Sequence, residues 1–174
     1  MPKTLYIVDG HAQIYAAFYA PLRGNLTSPS GEPTRATYIF TTMLLKLLDE
    51  HKPDYLVVAM DAPGPTFRHE VFSQYKANRP PMPEELSVQI ARIDEILAAM
   101  NIPVLRKSPY EADDIIGTLC RREGRHDLKI YICSKDKDLQ QLISDDVAMI
   151  DLKDSSITDP AALKENKGIT PEQV

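Results

Sequence analysis

The chain has 174 residues, which is enough for one domain with a substantial buried core. Apolar residues make up 43% and charged residues 26%, as is typical of globular proteins, and no apolar run approaches the roughly 20 residues that span a membrane. The net charge of −5 does not exclude a nucleic-acid ligand, because the location of charge matters more than its sum.

Short apolar runs alternate with stretches of helical periodicity along the chain. The runs predict strands at Leu5–Val8, Tyr55–Met60, Ile130–Cys133 and Val147–Ile150. Apolar residues at steps of three and four predict helices over Ala36–Glu50, Glu84–Met100 and Glu111–Arg121. Residues 21–35 and 62–83 are rich in proline and glycine and are expected to be loops, and Thr170–Pro171 resembles a helix start. This alternation predicts one α/β domain over residues 1–174, with a central, mostly parallel sheet flanked by helices.

The cellular location is predicted from the first apolar run and from the cysteines. Leu5–Val8 is too short for a signal peptide, because Asp9 follows it at once. Cys120 and Cys133 lie among apolar residues, which favours buried thiols over a disulfide or a metal site. A cytoplasmic protein is expected, since free buried thiols are typical of a reducing compartment.

Acidic residues gather where three predicted strands end and where one predicted helix begins. Ligands of open α/β sheets bind beyond the carboxyl ends of the strands, so these acids are expected at one edge of the sheet. The seven residues are Asp9, Asp61, Glu111, Asp113, Asp114, Asp136 and Asp138.

Seven carboxylates at one edge would repel one another unless a cation lay between them. Oxygen ligands without a neighbouring histidine or cysteine favour Mg²⁺ or Mn²⁺ over Zn²⁺. Removing these seven from the 25 acids leaves 18 against 20 Lys and Arg, so the rest of the chain is close to neutral. The acids therefore predict a metal site beside a surface that tolerates phosphate.

Each acid also has a purely structural interpretation. Turns would explain Asp9 and Asp61. Helix termini would explain the others: a capping box of Ser108 and Glu111, dipole complementation by Asp113 and Asp114, and capping of a helix over residues 137–143 by Asp136, with Asp138 in its first turn. The metal site is preferred because independent turns and caps do not account for a common edge.

A basic and aromatic stretch follows Asp61 within the second predicted loop. Aromatic rings stack on unpaired bases, and Arg and Lys contact phosphates, so this stretch is expected to hold a single-stranded end beside the metal site. The alternative is a solvated basic loop with one core phenylalanine, and His69 is expected at the surface rather than as a ligand. The residues concerned are Phe67, Arg68, His69, Tyr75, Lys76 and Arg79.

Six motifs, in order and correctly spaced, carry a resemblance that covers essentially the whole chain. They are Ile-Val-Asp-Gly-His (7–11), Met-Asp-Ala (60–62), Phe-Arg-His-Glu (67–70), Tyr-Lys-Ala-Asn-Arg-Pro (75–80), Tyr-Glu-Ala-Asp-Asp (110–114) and Lys-Asp-Lys-Asp-Leu (135–139). Together they resemble the 5′-nuclease domain of bacterial DNA polymerase I, which belongs with the flap endonucleases and the PIN-like fold.

The resemblance implies a metal-dependent 5′-3′ exonuclease and flap endonuclease with two Mg²⁺ or Mn²⁺ ions. Its substrate would be DNA with a 5′ single-stranded end, flap or nick, or an RNA primer, and the protein would act as a monomer in replication and repair. The first metal position would use Asp9, Asp61, Glu111 and Asp113, and the second Asp113, Asp136 and Asp138, with Asp114 close by. A helical arch over about residues 66–100 would present Lys76 and Arg79 to the scissile phosphate, Tyr75 to the terminal base and Arg68 to the DNA.

The sequence departs from the family pattern at two places. Ala16 stands where the family usually has Arg, directly after Tyr15. The family also continues, beyond the point matching Val174, with two further metal-ligand aspartates and a helix-turn-helix that grips duplex DNA. From this we expect a folded piece with at most one well-occupied metal position and little structure-specific cleavage by itself.

Two other functions compete with the nuclease. A phosphatase using the Asp136-Lys137-Asp138 stretch would leave Asp9, Asp61 and the basic stretch without a role. A module that binds DNA structures without cutting them would not need seven acids.

Overall fold

The computed structural model describes residues 2–21, 24, 26–123 and 128–174. In these ranges the strands are β1 (Lys3–Asp9), β2 (Tyr55–Ala59), β3 (Val104–Leu105), β4 (Leu128–Cys133), β5 (Val147–Ile150) and β6 (Ile157–Thr158). The helices are α1 (Gly10–Phe18), α2 (Arg35–His51), α3 (Phe67–Val71), α4 (Glu84–Ala99), α5 (Ala112–Glu123) and α6 (Pro160–Lys167). Two short 3₁₀ helices lie at Asp138–Leu142 and Pro171–Gln173.

The described strands form one sheet in the order β3-β2-β1-β4-β5-β6. All neighbouring pairs are parallel except β5 and β6. The register aligns Asp9 with Ala59 of β2, and Val8 with Cys133 of β4. The chain that follows each of these three strands therefore emerges at the same edge, as the α/β prediction required.

Both faces of the sheet are buried, which is usual for parallel strands. Because side chains alternate along a strand, Tyr6 and Val8 belong to one apolar cluster, and Leu5 and Ile7 to another. The first cluster joins the sheet to α1, α2 and α4, and the second joins it to α5, α6 and the first 3₁₀ helix. The acidic edge thus lies between two packed layers.

The four predicted strands and three predicted helices are confirmed, with ends shifted by a few residues. The pattern missed β3, β6, α1, α3 and α6, and α3 lies inside a segment predicted to be loop. Cys120 and Cys133 are buried free thiols, as predicted. No helix in the described ranges is long and apolar enough to cross a membrane.

Two of the predicted helix starts differ from the structure. The capping box of Ser108 and Glu111 is wrong, because α5 begins only at Ala112. The α-helix predicted over residues 137–143 is instead the 3₁₀ helix Asp138–Leu142, whose first N–H donates to Asp136 Oδ1 at 3.0 Å. The start at Thr170 is confirmed, although the helix that follows is a single 3₁₀ turn.

Gly10 lets α1 start directly against the neighbouring strand. A Cβ at this position would collide with Met60 Sδ and approach Val58 Cγ1 to 2.8 Å and the Ala59 carbonyl oxygen to 3.0 Å. Gly10→Ala is therefore expected to lower the free energy of unfolding by about 1–3 kcal/mol, the usual range for overpacking a core. Urea denaturation of the purified variant measures this loss.

The matched control for this substitution is Gly117→Ala in α5. A Cβ there meets only Leu142 Cδ2, at an ordinary 3.8 Å, and alanine is the better helix former by up to about 1 kcal/mol. The control is expected to leave the stability unchanged or raise it. Equal losses in the two variants would contradict the close approach at Gly10.

Candidate active site

Asp9 is a buried carboxylate at the carboxyl end of the central strand. Its Oδ1 accepts the N–H of Ala12 at 3.3 Å and so caps α1, while its Oδ2 accepts the Ser134 hydroxyl at 2.7 Å. Burial raises the pKa of Asp9, and the charges of Asp136 and Asp61 raise it further, against the lowering effect of its hydrogen bonds. Asp9 is therefore a helix cap rather than part of the simple turn considered as its alternative, and it also interacts electrostatically with other acids.

Asp61 ties the end of β2 to the start of α5. Its Oδ1 accepts the N–H of Ala112 at 2.7 Å, and its own N–H donates to His11 Nδ1 at 3.1 Å. Burial lowers the pKa of His11, which keeps the ring neutral and leaves Nδ1 free to accept this bond. Asp61 Oδ2 lies 3.8 Å from His11 Nδ1, and the Asp61 side chain is 42% exposed.

The three acids at the start of α5 have different surroundings. Asp114 Oδ2 accepts the N–H of Glu111 at 2.9 Å, which caps the helix. Asp114 also receives a two-pronged hydrogen bond from the Arg68 guanidinium at 2.7 and 2.8 Å, and this contact lowers the pKa of its carboxyl group. In the described part of the chain, no cation is hydrogen-bonded to Asp113 in this way, although Lys76 lies near enough to lower its pKa. Burial raises the pKa of Asp113 to about 6, and Asp9, Asp136 and Asp61 contribute by repulsion.

Ser134 joins the end of β4 to two of the acids. It is buried, donates to Asp9 Oδ2 at 2.7 Å and accepts the N–H of Asp136 at 3.1 Å. This single hydroxyl sets the spacing between the acids that follow β1 and β4. Sequence reasoning missed it, although a polar residue between the apolar Cys133 and the acidic motif was the available signal.

The predicted site residues line two neighbouring clefts. We name the first the acid cleft; it has a volume of about 1030 Å³ and contains His11, Tyr15, Lys76 and Arg79 beside five acids. Those acids are Asp9, Asp61, Glu111, Asp113 and Asp136. The second, the side cleft, contains Asp114 and Asp138 together with Glu111 and Asp113. Asp136 therefore shares a cleft with Asp9 and Asp61, and the division of the acids between two metal positions stays a prediction.

The donor set of the acid cleft fits a hard divalent cation, although its geometry here is not that of a closed metal site. In the described ranges, no three His, Cys, Asp or Glu side chains converge tightly enough to hold an ion. The carboxylates nevertheless supply only oxygen ligands, which hard divalent cations prefer, and burial together with repulsion from Asp9, Asp136 and Asp61 raises the pKa of Asp113. Their open arrangement follows from the partners that Glu111 and Asp114 already have.

Residues 66–82, which we name the basic segment, lie against these acids. Lys76 Nζ pairs with Glu111 Oε1 at 2.7 Å, and the Tyr75 hydroxyl donates to Glu111 Oε2 at 3.0 Å. Arg68 approaches the same Oε2 at 3.4 Å, besides its contact with Asp114. Arg68, Tyr75 and Lys76 are thus held against acids, whereas residues 71–74 and 77–82 are exposed, as a solvated loop would be.

The remaining residues of the basic segment have separate positions. Arg79 is exposed at the rim of the acid cleft. The Phe67 ring packs 5.8 Å from the Tyr110 ring, under the guanidinium of Arg68. His69, expected at the surface, is half-buried and caps α3 by accepting the N–H of Thr66 at 3.1 Å. Ala16 is exposed on α1, beside the cleft-lining Tyr15.

A mostly parallel sheet that gathers carboxylates at one edge, with helices on both faces, is the architecture of a PIN-like α/β domain. The family described as 5′-3′ exonuclease, N-terminal resolvase-like domain, matches residues 4–168. The chain belongs to this family.

Curated relatives match nearly the entire chain. The DNA polymerase I of Bacillus caldotenax is 43% identical over 180 residues, which cover 100% of this chain and 20% of the relative. The 5′-3′ exonuclease of Aquifex aeolicus is 39% identical over 172 residues, which cover 99% of this chain and 59% of the relative. The chain thus spans about a fifth of the polymerase and about three fifths of the exonuclease.

Solved structures of lower identity share the fold. The T5 D15 protein, crystallised with metal ions, superposes with a TM-score of 0.72 at 20% identity and covers 98% of this chain and 63% of that one. Human GEN1, in complex with Holliday junction DNA, gives a TM-score of 0.57 at 16% identity over 98% of this chain and 41% of its own. These likenesses confirm the predicted PIN-like fold.

Proposed function

We propose that this chain is the nuclease part of a bacterial DNA polymerase I, and that it hydrolyses phosphodiester bonds at 5′ single-stranded ends, flaps and nicks of DNA. The observation that carries the proposal is the convergence of carboxylates from three strand ends with the Lys76 ammonium against Glu111. Membership in the exonuclease family and the polymerase relatives support it. We further propose that the protein works in the cytoplasm as a monomer, and that an RNA primer is a second substrate.

The metal ligands in this proposal are the seven acids named from the sequence, and the ions are Mg²⁺ or Mn²⁺. When bound, two such ions supply an activated water and stabilise the leaving oxygen. Asp9, Asp61, Glu111, Asp113 and Asp136 would hold ions in the acid cleft, and Asp114 and Asp138 would act from the side cleft. Crystallisation of the T5 D15 protein with metal ions supports a metal-dependent site, since that protein has the same fold, and the choice of Mg²⁺ or Mn²⁺ rests on the oxygen ligands.

Lys76 and Arg79 are the proposed cationic groups at the scissile phosphate. Both line the acid cleft, where their charge would offset the charge that develops on the phosphate oxygens. Tyr75 would stack on the terminal base, and Arg68 would hold the DNA backbone. To reach a phosphate, Lys76 must exchange its contact with Glu111 for one with the substrate.

The proposed arch has two parts that differ in packing. Its second half is α4, whose Leu86, Ile93 and Leu97 are fully buried in the core. Its first half is the basic segment, where Val71 is 84% and Phe72 60% exposed. Movement over a substrate is therefore proposed for residues 66–82, with α4 as the fixed support.

The basic segment is expected to be the first site of tryptic cleavage when no DNA is bound. It has few apolar anchors, so its local opening should require little free energy. Its cleavable tryptic sites are Arg68 and Lys76, because Pro80 blocks cleavage after Arg79. Mass spectrometry of a short digest should find cuts after Arg68 or Lys76 before any cut after Arg92 in α4, and an added 5′-flap should slow them. First cuts in α4, or no protection by DNA, would contradict a mobile arch.

The proposed function is tested with a labelled 5′-flap duplex in Mn²⁺ or Mg²⁺. Residues 1–174 and a longer form of the protein are assayed side by side. The resemblance predicts short 5′ products from the longer form and little cleavage by residues 1–174. Absence of metal-dependent products from the longer form would refute the nuclease. Hydrolysis of a phosphomonoester instead would favour the phosphatase, and tight binding without products would favour a DNA-structure-binding module.

A further inference from the structure

The side cleft is a second open depression of about 1060 Å³ on the outer face of α5. Its walls are the basic segment, the loop after β3, α5 and the 3₁₀ helix Asp138–Leu142. Most of its lining is outside the set of acids discussed above. It therefore needs an explanation of its own.

The side cleft continues from the acid cleft. The two share Arg106, Glu111 and Asp113 as wall residues. Tyr75 lines the side cleft, whereas the next residue, Lys76, lines the acid cleft. The basic segment thus lies between two connected clefts. A single strand of nucleic acid that enters the acid cleft could therefore continue into the side cleft.

The charge of the side cleft changes sign along α5. Asp113 and Asp114 lie at the amino end of the helix, and Arg121 and Arg122 lie eight residues further, about 12 Å at 1.5 Å per residue. Lys107 adds a third exposed cation from the loop after β3. Among the described residues, none of these three cations takes part in an ion pair. The outer end of the cleft is therefore suited to an anionic ligand.

The floor of the side cleft offers aromatic and aliphatic surface beside those cations. Tyr110 is 45% exposed and packs against Phe67, and Leu119 and Leu142 line the same cleft. Exposed aromatic rings with cations along a groove are the combination that binds single-stranded nucleic acid, because bases stack and phosphates pair with Arg or Lys. Continuity with the acid cleft and the basic outer end favour this ligand over a protein.

We propose that the side cleft binds the single-stranded 5′ tail of the substrate, several nucleotides from the scissile bond. Arg121 and Arg122 contact tail phosphates, and Tyr110 stacks on a tail base. The identity of the tail as part of a nuclease substrate rests on the proposed function. Binding of a single strand in this cleft does not require cleavage, so the two ideas fail separately.

The test measures the affinity of fluorescently labelled flap duplexes that carry a short or a long 5′ tail, in EDTA, as a function of salt. The variant Arg121→Glu/Arg122→Glu is expected to bind the long tail at least about tenfold more weakly and the short tail almost normally. Loss of two phosphate contacts should also reduce the slope of log affinity against log salt by about 1.4, at about 0.7 per contact for single strands. Arg121→Gln/Arg122→Gln, a milder change, should shift both readouts in the same direction.

A matched control makes the same change in net charge on the other face of the molecule. Lys52→Glu/Lys153→Glu alters two exposed lysines, one at the end of α2 and the other in a loop that α2 contacts through Lys46. It should leave the preference for a long tail intact. Thermal unfolding confirms that each variant is folded before binding is measured.

Stacking is tested separately with 2-aminopurine placed in the tail. Its fluorescence should be quenched by the unchanged chain and by Tyr110→Trp, but not by Tyr110→Ala. Equal loss of affinity for short and long tails, equal loss in the control, or quenching that survives Tyr110→Ala would each overturn the proposal. Tail-length dependence that maps to this cleft, together with absence of metal-dependent cleavage by the longer form of the protein, would support it while refuting the proposed function.

Discussion

Asp113→Asn is expected to abolish cleavage of a 5′-flap in any form of the protein that cuts one, while making the metal-free chain more stable. Asp113 is the central acid of the site, with a pKa raised to about 6 by burial and by Asp9, Asp136 and Asp61. Loss of a metal ligand removes several kcal/mol of transition-state stabilisation, on the order of a thousandfold in rate. A single-turnover assay with saturating flap and Mn²⁺ measures this loss.

The stability effect of the same substitution should depend on pH. Folded Asp113 keeps its proton up to a pKa of about 6, whereas the unfolded carboxyl loses it near 3.8, so the folded chain binds more protons between these values. The wild-type chain therefore loses stability, relative to Asp113→Asn, as the pH rises through this window. Because the group is partly open to solvent, the difference at pH 7 should be about 1 kcal/mol.

Thermal unfolding in EDTA at pH 4 and at pH 7 checks this dependence, and Mn²⁺ should then raise the melting temperature of wild type more than that of the variant. Asp145→Asn, an exposed acid in the turn before β5, serves as the control and should show neither effect. Near-normal turnover of Asp113→Asn, or a stability gain that is the same at both pH values, would refute the site and favour simple helix capping.

Lys76→Ala is expected to lower the rate of cleavage by about a hundredfold and the affinity for the flap far less. A cation that offsets charge developing on the phosphate acts mainly in the transition state, and removing one such donor costs about this much. The same substitution should increase the affinity for Mn²⁺, because Glu111 loses its 2.7 Å ion pair. Single-turnover rates, flap titrations and calorimetric Mn²⁺ titrations provide the three measurements.

Lys76 has a left-handed backbone conformation, with φ of 55°. Lysine and alanine have a similar conformational free-energy cost in this region, so Lys76→Ala reports mainly the loss of the ammonium group. Tyr75→Phe is the companion variant, since it removes only the 3.0 Å hydrogen bond to Glu111. It should raise the Mn²⁺ affinity slightly and leave the rate near normal. Equal losses of rate and affinity in Lys76→Ala would make Lys76 a plain phosphate anchor.

The sheet and its acidic edge could be predicted because local patterns encode them. A parallel strand that is buried on both faces has an unbroken run of apolar residues in its sequence. Two such runs are Leu5–Val8 and Ile130–Cys133. Asp9 and Asp61 stand within two residues of a strand end, so the parallel topology alone brings them to one edge. The common edge followed from the alternation of strands and helices.

The contacts among the acids could not be predicted, because they join distant parts of the chain. Glu111 meets Lys76, 35 residues away, and Asp9 meets Ser134, 125 residues away. The short helix Phe67–Val71 was missed because five residues carry too little periodicity to distinguish them from a loop. The strands Val104–Leu105 and Ile157–Thr158 were missed because two residues have no alternation to detect.

Those two shortest strands also limit how readily the edges of the sheet can pair with strands of other molecules. They form its two outer borders, and each offers a row of only two residues with which a foreign strand could pair. Long, regular borders recruit other chains into aggregates, whereas very short ones give little template for such pairing. The domain should therefore stay dispersed at high concentration and beside other domains in a longer polypeptide.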